Sequence, residues 1–182
     1  MLHRSTAVVV LCLCLGTCLL AASTGVWLDV PFIKQEKNAC GAASLAMVMQ
    51  YWQRQQGKSA DENADAVHIQ QALFSRHAKG IFASDMQGYL ENHNFQAFAF
   101  EGTWADLKQN LEKGRPLIVA LQPAHNGSLH YVVVTGLDWQ QQLVLTNDPA
   151  QRKLLKEDRA NFEKEWKATR NWTLLAVPRQ EH

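Results

Sequence analysis

The stretch QEKNACGAASLAMVM, residues 35–49, joins a polar loop to an apolar helical pattern and decides how the rest of the chain is interpreted. Apolar side chains recur at spacings of three and four, at Leu45, Val48, Met49 and Trp52. This period predicts a helix from about Cys40 to Gln55 with one buried stripe. Cys40 is the only cysteine after residue 18, and it is expected at the first residue of that helix.

The composition is that of an ordinary globular chain without a strong charge. Among its 182 residues, 18 are Lys or Arg and 17 are Asp or Glu. A nearly balanced charge creates no field that would attract nucleic acid, so no nucleic acid partner is expected. The length and the 47% of hydrophobic residues suit one domain with its own core.

The first residues have the pattern of a secretory signal peptide. Arg4 carries a positive charge, residues 7–15 form an uninterrupted apolar run, and small residues follow at 21–23. A signal peptidase recognises this order of charge, apolar run and small residues. We therefore divide the chain into a signal peptide, residues 1–23, and one mature domain, residues 24–182, which is expected to be secreted or periplasmic.

Two alternatives would keep the protein at the membrane, facing outside the cytoplasm. The signal peptide could stay uncleaved as an anchor, or Cys18, in a lipobox-like sequence, could carry a lipid. Cleavage after residue 23 would remove Cys12, Cys14 and Cys18 and leave Cys40 as the single cysteine. The mature domain would then form no internal disulfide, although it enters an oxidising compartment.

Helical patterns dominate the first half of the remaining sequence, and strand patterns dominate the second. Helices are predicted near residues 64–76, 84–92, 103–114 and 158–168, two of them opened by capping-box sequences at Ser84 and Thr103. Strands are predicted over residues 27–30, 95–100, 117–121, 131–137, 143–146 and 172–177. This order indicates an α+β fold in which the helix that carries Cys40 packs on a mainly antiparallel sheet.

The position of Cys40 favours a reactive thiol over a structural one. A free cysteine is most often a small buried hydrophobe, which is the alternative interpretation. However, a helix start offers free N–H groups and a dipole that stabilise a thiolate. The polar loop before Cys40 would leave the sulfur accessible, and Gly41 would leave room for a substrate backbone.

A histidine and an acidic residue are predicted to meet at one end of a hairpin. His130 begins one strand pattern, and Asp148 follows the next. If the two strands pair, His130 lies beside Asp148 and Asn147. A catalytic histidine needs an acceptor on its second ring nitrogen, which Asp148 or Asn147 would supply. The alternatives are a strand-edge histidine bonded to a backbone carbonyl and an ordinary Asn-Asp-Pro turn.

Several motifs together resemble a known family. The run VPFIKQEKNACGAASLAMVMQYW, residues 30–52, is followed by GRPLIV at 114–119, LHYVVVTGLD at 129–138 and NDP at 147–149. In this order they are similar to the papain-like double-glycine, or bacteriocin-processing, cysteine peptidases. The likeness extends over roughly residues 29–178.

The resemblance implies a papain-like fold and a role for each site residue. Cys40 would be the nucleophile, His130 the general base, Asp148 the orienting residue and Gln35 an oxyanion-hole donor. Gln35 lies five residues before Cys40, where six is usual in the family, and Ala39 stands where the family frequently has Asp. The chain is expected to be a stand-alone, exported relative that hydrolyses peptide bonds of a secreted or envelope peptide or protein.

The alternative function is a papain-like domain that binds peptides or assists envelope assembly without turnover. The presence of Cys40, His130 and Asp148 argues against it, because a binding module has no need of all three. No cofactor is implied, and the histidines at 68, 77, 93 and 125 share no metal-ligand spacing. The expected partner is a peptide or protein substrate.

Overall fold

A computed structural model of the chain describes residues 24–123 and 127–180. The expectations for the signal peptide, residues 1–23, and for a lipid on Cys18 lie outside the described residues. Within the described ranges, no helix is both long enough and apolar enough to cross a membrane.

Within the described ranges, seven strands form one sheet in which every paired strand is antiparallel to its neighbour. They are β1 (Gly25–Trp27), β2 (Phe95–Glu101), β3 (Leu117–Leu121), β4 (His130–Asp138), β5 (Leu143–Asn147), β6 (Leu155–Asp158) and β7 (Trp172–Pro178). The order across the sheet is β2-β7-β3-β4-β5-β6, and β1 pairs with the second half of β4.

Five α-helices accompany the sheet in the described part of the chain. They are α1 (Cys40–Gln55), α2 (Ala66–Leu73), α3 (Ala83–Asn92), α4 (Trp104–Glu112) and α5 (Arg159–Lys167). The bounds of α1 match the sequence prediction at both ends, and the helix packs on β4. The predicted α+β fold, with the Cys40 helix on an antiparallel sheet, is confirmed.

The sheet separates two apolar cores. Alternate residues of a strand face opposite sides of a sheet. On β4, Tyr131 and Val133 join the core formed with α1, α2 and α3, while Val132 and Val134 join the core formed with α4 and α5. The start of β4 therefore lies between a helix that carries Cys40 and a second helical layer on the other face.

Strand β1 begins and ends earlier than its sequence pattern predicted. The prediction was residues 27–30, whereas the strand covers Gly25–Trp27 and pairs with Gly136–Asp138 of β4. A Cβ on Gly25 would lie 2.4 Å from the carbonyl oxygen of Leu137, and one on Gly136 would lie 2.5 Å from that of Val26. Because both positions are glycines, β1 can pair this closely with β4, and this pairing places the strand earlier in the chain than its sequence pattern predicted.

The two predicted capping boxes have opposite outcomes. Thr103 caps α4 as expected: its Oγ1 accepts from the Asp106 N–H at 3.2 Å, and Asp106 Oδ2 accepts from the Thr103 N–H at 2.8 Å. The capping role of Ser84 is wrong, because α3 begins one residue earlier with Phe82 at its cap and no side-chain cap bond. Ser84 lies inside the helix, where its hydroxyl donates to Asp85 Oδ1.

Strand β6 was not predicted from the sequence. It pairs with β5 alone, at the edge of the sheet, and its residues alternate between half-buried and exposed. Edge strands commonly carry charged side chains, which weakens their sequence signal. Leu155 and Glu157 of this strand line the same cavity as Cys40.

Candidate active site

Cys40 is the first residue of α1 and is half-buried. The N-cap residue, Ala39, has no side-chain acceptor, so no capping side chain binds the first N–H groups of the helix. The backbone N–H groups of Gly41 and Tyr131 donate to the sulfur of Cys40. The helix start therefore surrounds the thiol with hydrogen-bond donors, which favour its anionic form.

Gly41 serves packing rather than substrate access. Its backbone is buried, and a Cβ there would meet Ile81 at 3.3 Å, Met86 at 3.5 Å and Tyr131 at 3.5 Å. The expectation that Gly41 leaves room for a substrate is therefore wrong. A glycine lets α1 approach β4 and α3 closely enough to bring Cys40 to the start of β4.

The β4–β5 hairpin brings His130 and Asp148 together as predicted from their positions. His130 is the first residue of β4, and Asp148 follows the last residue of β5. The His130 Nε2 lies 2.7 Å from Asp148 Oδ1. The His130 ring also hydrogen-bonds to the Cys40 thiol. Because Nε2 is engaged with Asp148, Nδ1 is the ring nitrogen left for the sulfur.

The Asp148 carboxylate is held by the turn that follows it. Oδ1 accepts from the Ala150 N–H at 2.8 Å, and Oδ2 accepts from Gln151 Nε2 at 2.6 Å. These bonds orient the carboxylate toward His130. Gln151 was not identified from the sequence; its position three residues after Asp148 was the available signal.

Asn147 is not the partner of His130. Its Nδ2 donates to the carbonyl oxygens of Val30 at 3.1 Å and Pro31 at 3.3 Å, and its Oδ1 accepts from the Leu154 N–H at 3.0 Å. Its side chain is fully buried. Of the two acceptors that the sequence left open for His130, the geometry selects Asp148, because Asn147 joins β5 to the segment before α1.

The three groups shift each other's proton affinities. Burial raises the pKa of the Cys40 thiol, but the hydrogen bond from His130, the backbone N–H groups of Tyr131 and Gly41 and the charge of His130 together leave that pKa below its ordinary value. Burial lowers the pKa of His130, while hydrogen bonds to Asp148 and Cys40 and their charges raise it to about 9. Burial raises the pKa of Asp148, and the bond and charge of His130 together with the bonds from Ala150 and Gln151 lower it overall. At neutral pH these shifts favour a thiolate beside an imidazolium.

Gln35 lies in the same cavity as Cys40 despite its shortened spacing. Its backbone N–H donates to the carbonyl oxygen of Pro149 at 2.9 Å, which ties it to the turn after Asp148. Its side-chain Oε1 is buried and has no hydrogen-bond partner within the described residues. That atom is the acceptor of the amide, so a role toward an oxyanion would depend on the Nε2 group, which is its donor.

A cavity of about 1150 Å³ surrounds these side chains. Its lining residues on the α1 side of the sheet include Gln35, Asn38 and the segment 78–83, and we call this part the arm beside α1. The lining residues on the α5 side come from β3, β4, β5, β6 and α5, and we call this part the arm beyond His130: Leu121, Val132, Thr146, Leu155, Glu157 and Glu165. Because β6 was not predicted, sequence reasoning missed Glu157 in this wall.

The described residues contain no group of three or more His, Cys, Asp or Glu side chains that could hold a metal ion. His68 pairs with Glu62 at 3.4 Å, and the ring of His93 stacks on Tyr89 with 4.1 Å between ring centroids. Both rings therefore have structural partners outside the cavity. The site is built from protein side chains that suit thiol chemistry.

The fold is similar to solved structures of double-glycine peptidase domains. A protein from Bacillus anthracis described as a C39-like peptidase has a TM-score of 0.64 and 21% identity, with 87% of this chain and 100% of that one covered. A double glycine motif protease of an AMS/PCAT transporter, solved in complex with the leader peptide, has a TM-score of 0.61 and 22% identity over 84% of this chain and 94% of that one.

The peptidase domain of Streptococcus ComA, a bi-functional ABC transporter, has a TM-score of 0.63 and 18% identity, covering 82% of this chain and 98% of that one. No curated protein sequence matches this chain. The model of the Peptidase_C39 like family matches residues 27–174, most of the described chain. The chain therefore belongs to the Peptidase_C39 like family and is a cysteine-type peptidase of papain-like fold.

Proposed function

We propose that this peptidase hydrolyses peptide bonds with Cys40 as nucleophile, His130 as general base and acid, and Asp148 as orienting residue. The observation that carries the proposal is the continuous chain of hydrogen bonds from the thiol through the imidazole to the carboxylate. A nucleophile, a base within hydrogen-bond reach and a third group that orients the base are the parts that covalent acyl transfer requires.

The proposed reaction has two halves. The Cys40 thiolate attacks the carbonyl carbon of the scissile bond, and the resulting tetrahedral intermediate collapses when the His130 imidazolium gives its proton to the leaving amine. This leaves a thioester on Cys40 and a neutral imidazole. His130 then removes a proton from water, the hydroxide attacks the thioester, and the acid product leaves as the thiolate and imidazolium are restored.

Gln35 and the Cys40 backbone N–H are the proposed donors to the oxyanion. The N–H of the first residue of α1 has no partner within the helix, and the Gln35 amide lies in the same cavity. Donors that face the developing negative charge stabilise the intermediate more than the substrate. One such donor typically contributes about 3 kcal/mol.

The proposed substrate is a peptide or protein that is secreted or located in the cell envelope. A structural relative bound to a leader peptide supports a peptide as the occupant of the cavity. The charge, apolar run and small residues of positions 1–23 support export. Sequencing the N-terminus of exported protein tests this location: a start near Thr24 is expected, a lipid on Cys18 would indicate an anchored protein, and an intact Met1 in the cytoplasm would contradict export.

A thiol-reactive probe separates the peptidase from the alternative, a silent peptide-binding domain. Wild type should label at low probe concentration and cleave peptides of a proteome-derived library, and Cys40→Ser should do neither, because the serine hydroxyl is not ionised by His130. Circular dichroism would verify that Cys40→Ser is folded. Wild type that neither labels nor cleaves would exclude hydrolysis and leave the binding domain.

A further inference from the structure

The arm of the cavity beyond His130 is acidic. Glu157 lies opposite Val144 in the β5–β6 ladder, and Val144 belongs to the core on the α5 face of the sheet. The Glu157 side chain therefore faces α5, where Glu165 lines the same cavity. Both residues are half-buried. Within the described residues, neither carboxylate forms an ion pair or side-chain hydrogen bond.

The opposite arm has the opposite charge. Among the described lining residues, Lys79 is the only Lys or Arg, and it lies with Ala78 and Gly80 in the arm beside α1. The negative side chains of the lining are Asp148, which is engaged with His130, and the pair Glu157 and Glu165. A ligand that spans the cavity thus meets unlike charges at its two ends.

Unpaired half-buried carboxylates are unfavourable in the free protein. Removing a carboxylate from water without a counter-charge costs free energy, and a second carboxylate nearby adds repulsion. A cationic ligand group would reduce both the cost of removing the carboxylates from water and the repulsion between them. Because this cavity also holds the thiol of a cysteine peptidase, the ligand in question is its peptide substrate.

We propose that Glu157, assisted by Glu165, selects substrates that carry a Lys or Arg side chain near the cleaved bond, a proposal that rests on the peptidase function above. Val144, the neighbour of Glu157 in the ladder, precedes Asp148 by four residues, which corresponds to about 13 Å at ~3.3 Å per residue. An extended substrate covers that distance in about four residues. The cleaved bond lies at Cys40, on the other side of His130 from Asp148, which lengthens the path, while the long side chain of Lys or Arg shortens it. The basic residue therefore belongs about four positions or more from the cleaved bond.

The preference for substrates with Lys or Arg should strengthen as the pH rises through neutrality. Burial, with the carboxylates of Glu165 on α5, Asp148 after β5 and Asp158 on β6, raises the pKa of Glu157 to about 7. Below that pH the free enzyme holds Glu157 mainly neutral, and above it the side chain is an anion that attracts a cation. The dependence of kcat/KM on pH reports groups of the free enzyme.

The test compares cleavage by wild type, Glu157→Gln and Glu165→Gln on a proteome-derived peptide library, with sites identified by mass spectrometry. A well-cleaved peptide and its analogue with norleucine in place of Lys then give a ratio of kcat/KM values. We expect wild type to prefer the Lys peptide by about 10- to 100-fold, and more at pH 8 than at pH 6. Glu157→Gln should reduce the ratio to near one, and Glu157→Lys should favour a Glu-containing peptide.

Glu112→Gln is the matched control, because Glu112 on α4 pairs with Lys108 at 3.8 Å and does not line the cavity. It should keep the wild-type ratio. Wild type that cleaves the library without enrichment of basic residues, or an unchanged ratio in Glu157→Gln, would overturn this inference and leave the peptidase function intact. Failure to cleave any peptide while iodoacetamide still alkylates Cys40 would instead contradict the proposed hydrolysis.

Discussion

Helix α1 and the β4–β5 hairpin meet at the cavity, and they are held in place by different interactions. Ten of the 16 residues of α1 are buried, and its first turn has no side-chain cap. On the hairpin side, the end of β5 is held by hydrogen bonds of the Asn147 and Asp148 side chains. Apolar packing has little directionality, whereas hydrogen bonds have a preferred geometry.

This difference suits the two proposed roles. A thiolate needs a position and a favourable field, which a packed helix start supplies. An imidazole needs an orientation, which a bonded carboxylate supplies. The two regions are joined by the Asn147 bonds to Val30 and Pro31 and by the bond from the Gln35 N–H to Pro149. Variants in α1 or its preceding loop, and variants in the hairpin, test whether the positioning of the thiolate and the orientation of the imidazole can be changed separately.

Removing the imidazole should have the largest effect. His130→Ala should lower peptide hydrolysis by about 10³- to 10⁴-fold or more, because base and acid are both lost. In wild type, the lowered pKa of Cys40 should let iodoacetamide alkylation persist to lower pH than that of an ordinary thiol. In His130→Ala only burial and backbone donors remain, so the inflection should rise toward or beyond the free-thiol pKa of about 8.5.

Alkylation rates from pH 4 to 10 measure this inflection. His93→Ala is the control, since His93 stacks on Tyr89 outside the cavity and its loss should leave the profile unchanged. Equal inflections near the free-thiol pKa in wild type and His130→Ala would disprove the coupling of Cys40 and His130, and with it the proposed mechanism.

A change on the α1 side should have a smaller effect on turnover and none on the thiol. Gln35→Ala should lower kcat by about 10²- to 10³-fold, because an amide donor to the oxyanion is lost. The amide does not titrate near neutral pH, so alkylation of Cys40 should stay nearly the same. The exposed Gln96 of β2 offers a control substitution, Gln96→Ala, with no expected change. Full turnover in Gln35→Ala would mean that the five-residue spacing holds the amide away from the oxyanion.

The smallest effect is expected from a neutral replacement of the carboxylate. In Asp148→Asn the new side-chain oxygen can still accept from His130 and from the Ala150 N–H, but the negative charge is lost. A neighbouring opposite charge is worth about 1–3 pKa units, so turnover should fall about 10- to 100-fold. The pKa of His130, raised to about 9 in wild type, should fall, and the alkaline limb of kcat/KM should move to lower pH.

Asn147→Ala provides the contrast to Asp148→Asn. Asn147 bonds to backbone groups rather than to His130, and its removal leaves three backbone partners without it. The free energy of unfolding should fall by about 2–4 kcal/mol, measured by urea denaturation. The alkaline limb of kcat/KM should stay in place. A shifted limb would mean that Asn147 also supports the imidazole.

Much of the fold was predictable from local sequence. The period of apolar residues defined α1 at both ends, and runs of apolar residues between turn residues defined β3 and the β4–β5 hairpin. Position at the ends of these elements was enough to select Cys40, His130 and Asp148 as candidates. Gln35 was selected as a candidate only by the family resemblance, because a glutamine in a loop belongs to no periodic sequence pattern. The extent of β1 was mispredicted, since it depends on the close pairing of β1 with β4 that Gly25 and Gly136 permit.

By itself, the sequence determined which elements form and which chemical groups stand at their ends, because periodicity, capping and turn preferences are interactions between near neighbours. Only the tertiary structure decided between Asp148 and Asn147 as the partner of His130, and only it revealed β6 and the acidic arm that Glu157 forms with Glu165. These outcomes depend on pairings across the sheet and on charges that meet across a cavity, and burial and distance between remote residues are not encoded in any local pattern.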